Sequence, residues 1–381
     1  MTSAAMETLF GQCFRDSIAS EKDAMVKALR EEAFSYYAVA GFPTPKDEDW
    51  KYTNVAEIAK GDWPCTQMRT SLPADDPRPR VMLENFHFGR NGFTALNLAF
   101  ADISVVVIPR ETSVAEPIEL DLSAAEGEMA SPHVIVIAEA GSKATIVETY
   151  RSGGRGLMNS ALQIVVEENA NLTHYRVQKD AADAYNYGVT EVTVGPAARY
   201  DLTNINLGGA ISRHDIDAKL IAEGGEIWVD GLYMLSGSQH HDTHSSIDHT
   251  VPNCTSHQTY KGVLDGSSRG VFNGKVFVRE GAHGTDAQQQ NKNLLLSNDA
   301  RVDTKPQLEI FNDDVKCSHG ATVGQLEDEE LFYLRTRGLP ETLARNLLTY
   351  GFAEEIINKI EIESIKSELD AMVLNRLGTE I

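Results

Sequence analysis

Between about residue 80 and residue 325 the sequence carries one short run of Val, Ile and Leu after another. The runs lie at 103–108, 134–138, 144–149, 162–166, 189–194, 227–233, 271–278, 294–296 and 308–311, separated by Gly, Asn, Asp and Ser. No stretch between them holds a long amphipathic helix. Short β-branched runs bounded by turn residues, without intervening helices, specify an all-β architecture. Sandwich, barrel and β-helix are all compatible with the runs alone. Roughly twenty strands exceed what one sandwich takes easily, and a solenoid whose rungs stack on one another absorbs that number. No strict repeat is visible.

Both flanks read differently. Residues 5 to 40 show helical spacing, with Met6, Leu9, Phe10, Cys13 and Phe14, then Met25, Val26, Leu29, Ala33, Phe34 and Tyr37. Gly41-Phe-Pro-Thr-Pro45 ends that pattern, because proline cannot continue a helix. The polar-aromatic segment DEDWKYTN (47–54) and a proline- and aspartate-rich loop follow. After 326 the helical pattern returns as EDEELFYLRTRG, then PETLARNLLTYGF, then a third helix from about 353 to 376. Three regions result: a helical region 1–78, a β core 79–325 and a helical region 326–381.

Composition narrows function. With 34 Lys and Arg against 56 Asp and Glu the formal charge is −22. So acidic a surface repels phosphate backbones and anionic membranes, which argues against both as partners. No window approaches the roughly 18 apolar residues of a spanning helix, and MTSAAMETLFGQC shows no secretory pattern. Four scattered cysteines, at 13, 65, 254 and 317, suit a reducing cytoplasm better than a disulfide framework.

Three segments are candidates for chemistry. The densest polar cluster holds His240, His241, Asp242, His244, Asp248, His249, Cys254 and His257. Imidazole and carboxylate together suit zinc or iron, and on a strand Asp242 and His244 share a face. That gives one functional alternative, a metal-dependent enzyme. The plainer alternative is polar residues bonding turn backbone or lining an interface. Gly270 to Val276 falls one residue short of a phosphate loop, Val276 replaces the required hydroxyl, and a strand follows where a helix is needed. In DDVKCSHGATVG, Cys317 and His319 project to the same side if the segment is extended. Thiolate and imidazole can bind a soft metal or an iron–sulfur unit. Spacing alone favours a buried cysteine beside a hydrogen-bonded histidine. Two donors of the usual four also mean that a cluster here needs a second chain.

The segments YKGVLDGSSRGVFNGKVFV (260–278), TDAQQQNKNLLLSNDARVDTKPQLEI (285–310) and DDVKCSHGATVGQLEDEELFYLRTRG (313–338), together with DEDWKYTN, closely resemble the SufB/SufD family of iron–sulfur assembly scaffolds. The CSHGAT block and FYLRTRG are similar to its SufD branch. Ala282-His283-Gly284 departs from the relatives, so His283 is given no role. The resemblance implies a right-handed parallel β-helix between helical termini. It implies a non-enzymatic subunit that pairs with a SufB-like paralogue and binds a SufC-like ATPase through its C-terminal helices, where Leu343, Leu347, Leu348 and Ile356 form the apolar face. It places nascent cluster formation at the SufB–SufD interface with His319 contributing and Cys317 beside it, which reverses the preference drawn from spacing. No cofactor is expected to be tightly bound by the chain alone. The cluster is transient and shared with SufB, a reduced flavin is associated with the assembled complex, and a homodimer of the isolated chain stays open.

Overall fold

The computed structural model describes residues 9–65 and 68–378; the expected helical residues 5–8, Met6 among them, lie outside that range. The strands in chain order are β1 (Arg69–Thr70), β2 (Asp102–Ile108), β3 (Ile118–Leu122), β4 (Met129–Ala130), β5 (Pro132–Ala138), β6 (Lys143–Tyr150), β7 (Leu157–Val166), β8 (Asn171–Gln178) and β9 (Tyr185–Val194). They continue as β10 (Arg199–Asn206), β11 (Ile211–Leu220), β12 (Glu226–Leu235), β13 (His240–His249), β14 (Thr255–Leu264), β15 (Arg269–Val278), β16 (Thr285–Leu295), β17 (Arg301–Ile310) and β18 (Val315–Gly324). From β5 onward successive long strands alternate between two sheets, and every pairing is parallel. One sheet runs β1-β2-β5-β7-β9-β11-β13-β15-β17 and the other β3-β6-β8-β10-β12-β14-β16-β18. The result is a parallel β-solenoid of about nine turns, the architecture among the open ones that the strand number favoured.

A repeat does exist, but in the backbone. Glu111, Gly141, Asn169, Ala197, Gly224, Asn253 and Gly284 all have positive φ, between 49° and 75°. They recur at the same corner of successive rungs, about thirty residues apart, within the range of solenoid repeats. Each corner N–H from Glu111 to Asn253 donates to a carbonyl of the next corner, as Asn169 does to Pro196 O at 2.9 Å and Asn253 to His283 O at 2.9 Å. Because Gly, Asn, Ala and Glu all fill this position, residue identity hides the period.

The solenoid interior is apolar at one side and polar at the other. Val136, Ile146, Ile164, Leu172, Leu202 and Ile216 belong to a continuous buried core. Beside them Glu148, His174, Arg176 and Asn204 are also fully buried. His174 Nε2 meets Glu148 Oε2 at 3.1 Å and its Nδ1 meets Tyr200 OH at 2.8 Å, while Arg176 donates to Asn204 and Asn206 at 3.2 Å each. Pairing and hydrogen bonding are what let such groups leave water.

The expected long N-terminal helix is two, α1 (Leu9–Ile18) and α2 (Ala24–Ala40). Asp23 caps the second by accepting from the N–H groups of Met25 and Val26, as an N-cap aspartate should. Gly41, with φ of 65°, ends it. After the short α3 (Ala56–Lys60) come α4 (Arg78–Glu84) and α5 (Gly92–Phe100), so residues 79–100, expected at the start of the β core, are largely helical. Helix α5, GFTALNLAF, is buried at every position. It has no polar face and so shows no helical stripe. Its Asn97 donates to Pro132 O and Asn159 O, which plugs the first end of the solenoid.

Helices α6 (Asp328–Thr336), α7 (Glu341–Ile357) and α8 (Glu363–Arg376) follow the last strand. The break between α7 and α8 falls at 358–362; Gly351, inside α7, does not interrupt it. Ile356, Ile357, Leu369 and Val373 pack on the outer face of the second sheet against Val177, Ile205, Leu232 and Val263. Lys359–Asp230 and Lys261–Glu355 ion pairs flank this contact.

Candidate functional site

The other end of the solenoid has no plug among the described residues. Strand β18 pairs only with β16, and β17 only with β15. In β16 the buried residues alternate: Thr285, Ala287, Gln289, Asn291 and Asn293 face inward, while Gln288 and Gln290 face solvent. The register aligns Ala287 with Cys317, Gln289 with His319 and Asn291 with Ala321. In a parallel ladder aligned residues share a face, so Cys317 and His319 both stand on the inward face of a rung that none of the described residues covers. The expected shared side is confirmed. The strand does not stop at Gly320: β18 continues to Gly324, because Gly320 is extended and simply carries the ladder on opposite Gln290. His319 is therefore mid-strand and reachable from the open end of the solenoid.

Around the pair the inward face of the terminal rung is mainly apolar. Val315, Cys317 and Leu308 pack partly against the core, and Ile310, Phe311 and Val323 are 40%, 58% and 49% exposed. Pro306 removes one edge donor from β17, a device that discourages indiscriminate strand addition. His319 is exposed and Cys317 half-buried. Burial, with a smaller contribution from the nearby Asp286 carboxylate, raises the Cys317 thiol above its ordinary value, so at neutral pH the sulfur keeps its proton until a metal displaces it.

The histidine-rich segment does not gather into a centre. Strand alternation sends its members to opposite faces. His241 points inward to Ser212 Oγ at 2.8 Å and Thr243 Oγ1 at 2.9 Å, and His249 inward to Ser256 Oγ at 2.8 Å. Burial holds them neutral, with pKa values pushed down to about 3 and about 4. Cys254 donates to Ala222 O and Pro252 O, Asp248 pairs with Arg279, and His257 stacks on Trp228 at 4.2 Å. Among the described residues no three His, Cys, Asp or Glu side chains are grouped to hold a metal. The metal-enzyme alternative built on this segment thereby loses its ligand set, since alternation scatters these side chains and His241, Asp248 and Cys254 are engaged by structural partners.

Asp242 and His244 do point together, at 3.1 Å, and their role is visible. Arg213 donates to Asp242 Oδ2 at 3.0 Å and to Asp49 O at 2.6 Å, and its guanidinium lies 3.8 Å from the Trp50 ring centroid. Thr53 Oγ1 reaches both Asp242 and His240. The DEDWKYTN segment is thus clamped onto the solenoid flank. Sequence reasoning had singled out both segments but not Arg213, the cation that bridges them. Gly270 and Gly274 lie inside β15, where a Cβ would collide with Tyr233 and with the Gln289 amide; close packing, not phosphate, requires them.

The four residues expected to dock an ATPase separate. Leu343 and Leu347 are 42% and 48% exposed, Leu348 is half-buried, and Ile356 is fully buried. Ile356 belongs to the contact between α7 and the second sheet and is removed from the docking face. Phe332 and Tyr333 on α6, 68% and 56% exposed, add to the exposed pair; in the sequence reading the FYLRTRG block serves the family resemblance and not docking.

A family model described as "SUF system FeS cluster assembly, SufBD core domain" matches residues 121–352, and one described as "SufBD protein N-terminal region" matches residues 2–78. The chain belongs to the SufBD family. An iron–sulfur cluster assembly SufBD family protein of Synechocystis is 39% identical over 295 residues, 74% of this chain and 65% of the relative. A SufBD family protein of Mycobacterium bovis is 30% identical over 371 residues, 91% of this chain and 92% of the relative. The iron–sulfur cluster assembly protein SufD of Escherichia coli is 35% identical over 247 residues, 64% of this chain and 58% of the relative. The matched stretches span less than two thirds of the Synechocystis and E. coli relatives and nearly all of the mycobacterial one. Within the SufBD family the chain is SufD-like, and the core match runs over the solenoid through the open rung with Cys317 and His319.

Proposed function

We propose that this chain is a non-enzymatic scaffold subunit of the SUF iron–sulfur assembly system, working in the cytoplasm. Its open terminal rung pairs with the matching rung of a SufB-like paralogue, and the nascent cluster forms where the two rungs meet. One observation carries this reading: the solenoid is plugged at its first end and left open at its last, and the inward face of that open rung bears Cys317 and His319. An uncovered rung offers unpaired backbone groups and apolar side chains to a complementary rung. The His319 imidazole can donate a ring-nitrogen lone pair to iron or hold a proton beside a partner thiolate. Cys317, protonated at rest, is the secondary donor. The remaining donors come from the partner.

A SufC-like ATPase docks on the exposed apolar residues of α6 and α7. The chain alone binds no cofactor tightly; reduced flavin belongs to the assembled complex, and the iron and sulfide are cargo. Expression of variants with both partners in a strain lacking the parent gene tests the reading. His319→Ala is expected to assemble normally and to support no cluster formation, with Cys317→Ser milder. Full complementation by His319→Ala refutes the proposal, and failure of that variant to assemble makes His319 structural.

A further inference from the structure

Directly beneath His319 in the ladder lies Gln289, on the same inward face and fully buried. Its amide is the top of a polar column. Gln289 Nε2 donates to Gln258 Oε1 at 2.7 Å, and Gln258 Nε2 donates to Ser245 Oγ at 2.7 Å. Gln258 and Gln289 occupy the same register position on successive rungs. The column fits only because Gly274 has no Cβ to strike the Gln289 amide. With Nε2 committed downward, Gln289 Oε1 is left as a buried acceptor without a hydrogen-bond partner among the described residues. Folded proteins rarely leave such a group unsatisfied, and each instance calls for an explanation.

We propose that Gln289 is a positioning residue for His319. When a partner rung covers the open end, the imidazole settles onto the column and donates one ring N–H to Gln289 Oε1. Aligned residues of neighbouring strands stand about 4.8 Å apart, a separation an imidazole N–H and a glutamine carbonyl on one face can span. The hydrogen bond fixes the tautomer and leaves the other ring nitrogen unprotonated toward iron. A histidine that ligates metal through one nitrogen commonly donates its other N–H to such an acceptor, which also raises ligand basicity. The inference rests on the reading of His319 as a cluster-site residue.

The test uses the full complex with both partners, this chain carrying ring-15N histidine, and Fe(II) with sulfide as the probe. In the parent, the His319 ring is expected to show one protonated and one unprotonated nitrogen as a single species. Gln289→Leu removes the acceptor: the ring should become a mixture of tautomers, and iron retention should fall about 10-fold or more, with assembly held and Tm lowered by only a few degrees for the lost Gln289–Gln258 bond. Gln289→Glu keeps an oxygen at the same place and should restore the single tautomer and the retention. If Gln289→Leu does not assemble, Gln289→Met carries the same comparison. Parent-like ring shifts and retention in the acceptor-free variant, with retention abolished by His319→Ala, overturn the role of Gln289 and leave the cluster-site reading standing. Parent-like retention in His319→Ala overturns both.

Discussion

Two substitutions on one helix separate docking from folding. Leu347 and Ile356 both belong to α7, and both carry the apolar pattern that the sequence offers for ATPase binding. Leu347 is 48% exposed and Ile356 is 0% exposed. Replacing Leu347 by Glu puts a charge where solvent already reaches, and a surface change of this kind costs about 0.5 kcal/mol or less. Replacing Ile356 even by Ala empties part of the contact with Ile205, Leu232 and Val263, and such truncations cost roughly 2–5 kcal/mol. At about 2 cal/mol/K of unfolding entropy per residue, the 381-residue chain loses about 1 °C of Tm for each 0.8 kcal/mol. Leu347→Glu should therefore stay within about 1 °C of the parent, and Ile356→Ala should melt about 3–6 °C lower. Differential scanning calorimetry of each variant, followed by pull-down with the ATPase subunit, reads both quantities. The expected pattern is loss of capture with parent-like melting for Leu347→Glu, and capture with lowered melting for Ile356→Ala. Parent-like capture by Leu347→Glu refutes the docking assignment.

The clamp at Arg213 gives a second expectation. Trp50 is almost fully buried, stacks on Phe93 at 5.4 Å and receives the Arg213 guanidinium, so Trp50→Ala should cost roughly 3–5 kcal/mol and expose residues 41–54 to limited proteolysis while the strand signal in circular dichroism persists; an unchanged digestion pattern contradicts the clamp. The corner ladder gives a third. Ala197→Gly relieves a left-handed residue and Gly224→Ala creates one where the added Cβ makes only ordinary van der Waals contact with Ala197, so urea unfolding should show a gain of up to about 1 kcal/mol and a loss of about 1–2 kcal/mol; equal stability of the two refutes the strain argument. The buried histidines give a fourth. Burial depresses His133 and His249 to about 4 and His241 to about 3, so the unfolded chain takes up protons that the folded chain refuses. Their contribution is fully present above the unfolded pKa near 6.5 and is lost as pH falls toward 4, at up to about 1.4 kcal/mol per pH unit for each histidine. Urea midpoints should drop from pH 7 to pH 5, less steeply in His133→Gln; a flat profile rules the linkage out.

Strands whose inner face is aliphatic, such as Pro132–Ala138 and Leu157–Val166, are legible because β-branched runs have few other folds. Asn171–Gln178 and Arg199–Asn206 are not, because their inward His174 bonds Tyr200 and Glu148, their Arg176 bonds Asn204, and all of them look like surface residues in a linear reading. The solenoid period is hidden because a positive φ is a backbone property shared by Gly141, Asn169, Ala197 and Gly224. Helix α5 is invisible to periodicity because burial on all sides leaves no stripe. At the candidate site the shared face of Cys317 and His319 follows from strand alternation alone. The extension past Gly320 does not, since a glycine marks a turn only where φ demands it. The histidine-rich segment misleads for the reverse reason: alternation that unites residues two apart also scatters their neighbours, so density along the chain is not density in space. Ile356 and Leu347 share a helical pattern, and only the second sheet beneath α7 distinguishes them.

Amide hydrogen exchange over residues 301–324, in the chain alone and in the complex with a SufB-like paralogue, tests the terminal rung most directly. Strands β17 and β18 each have a neighbour on one side only, so the amides that face the open edge should exchange fast in the isolated chain. The expected result is strong new protection across Val315–Gly324 and Arg301–Ile310 on complex formation, in the alternating pattern of an added parallel or antiparallel strand. Protection that appears only on the C-terminal helices, with β18 exchanging as before, contradicts the placement of cluster assembly at this rung.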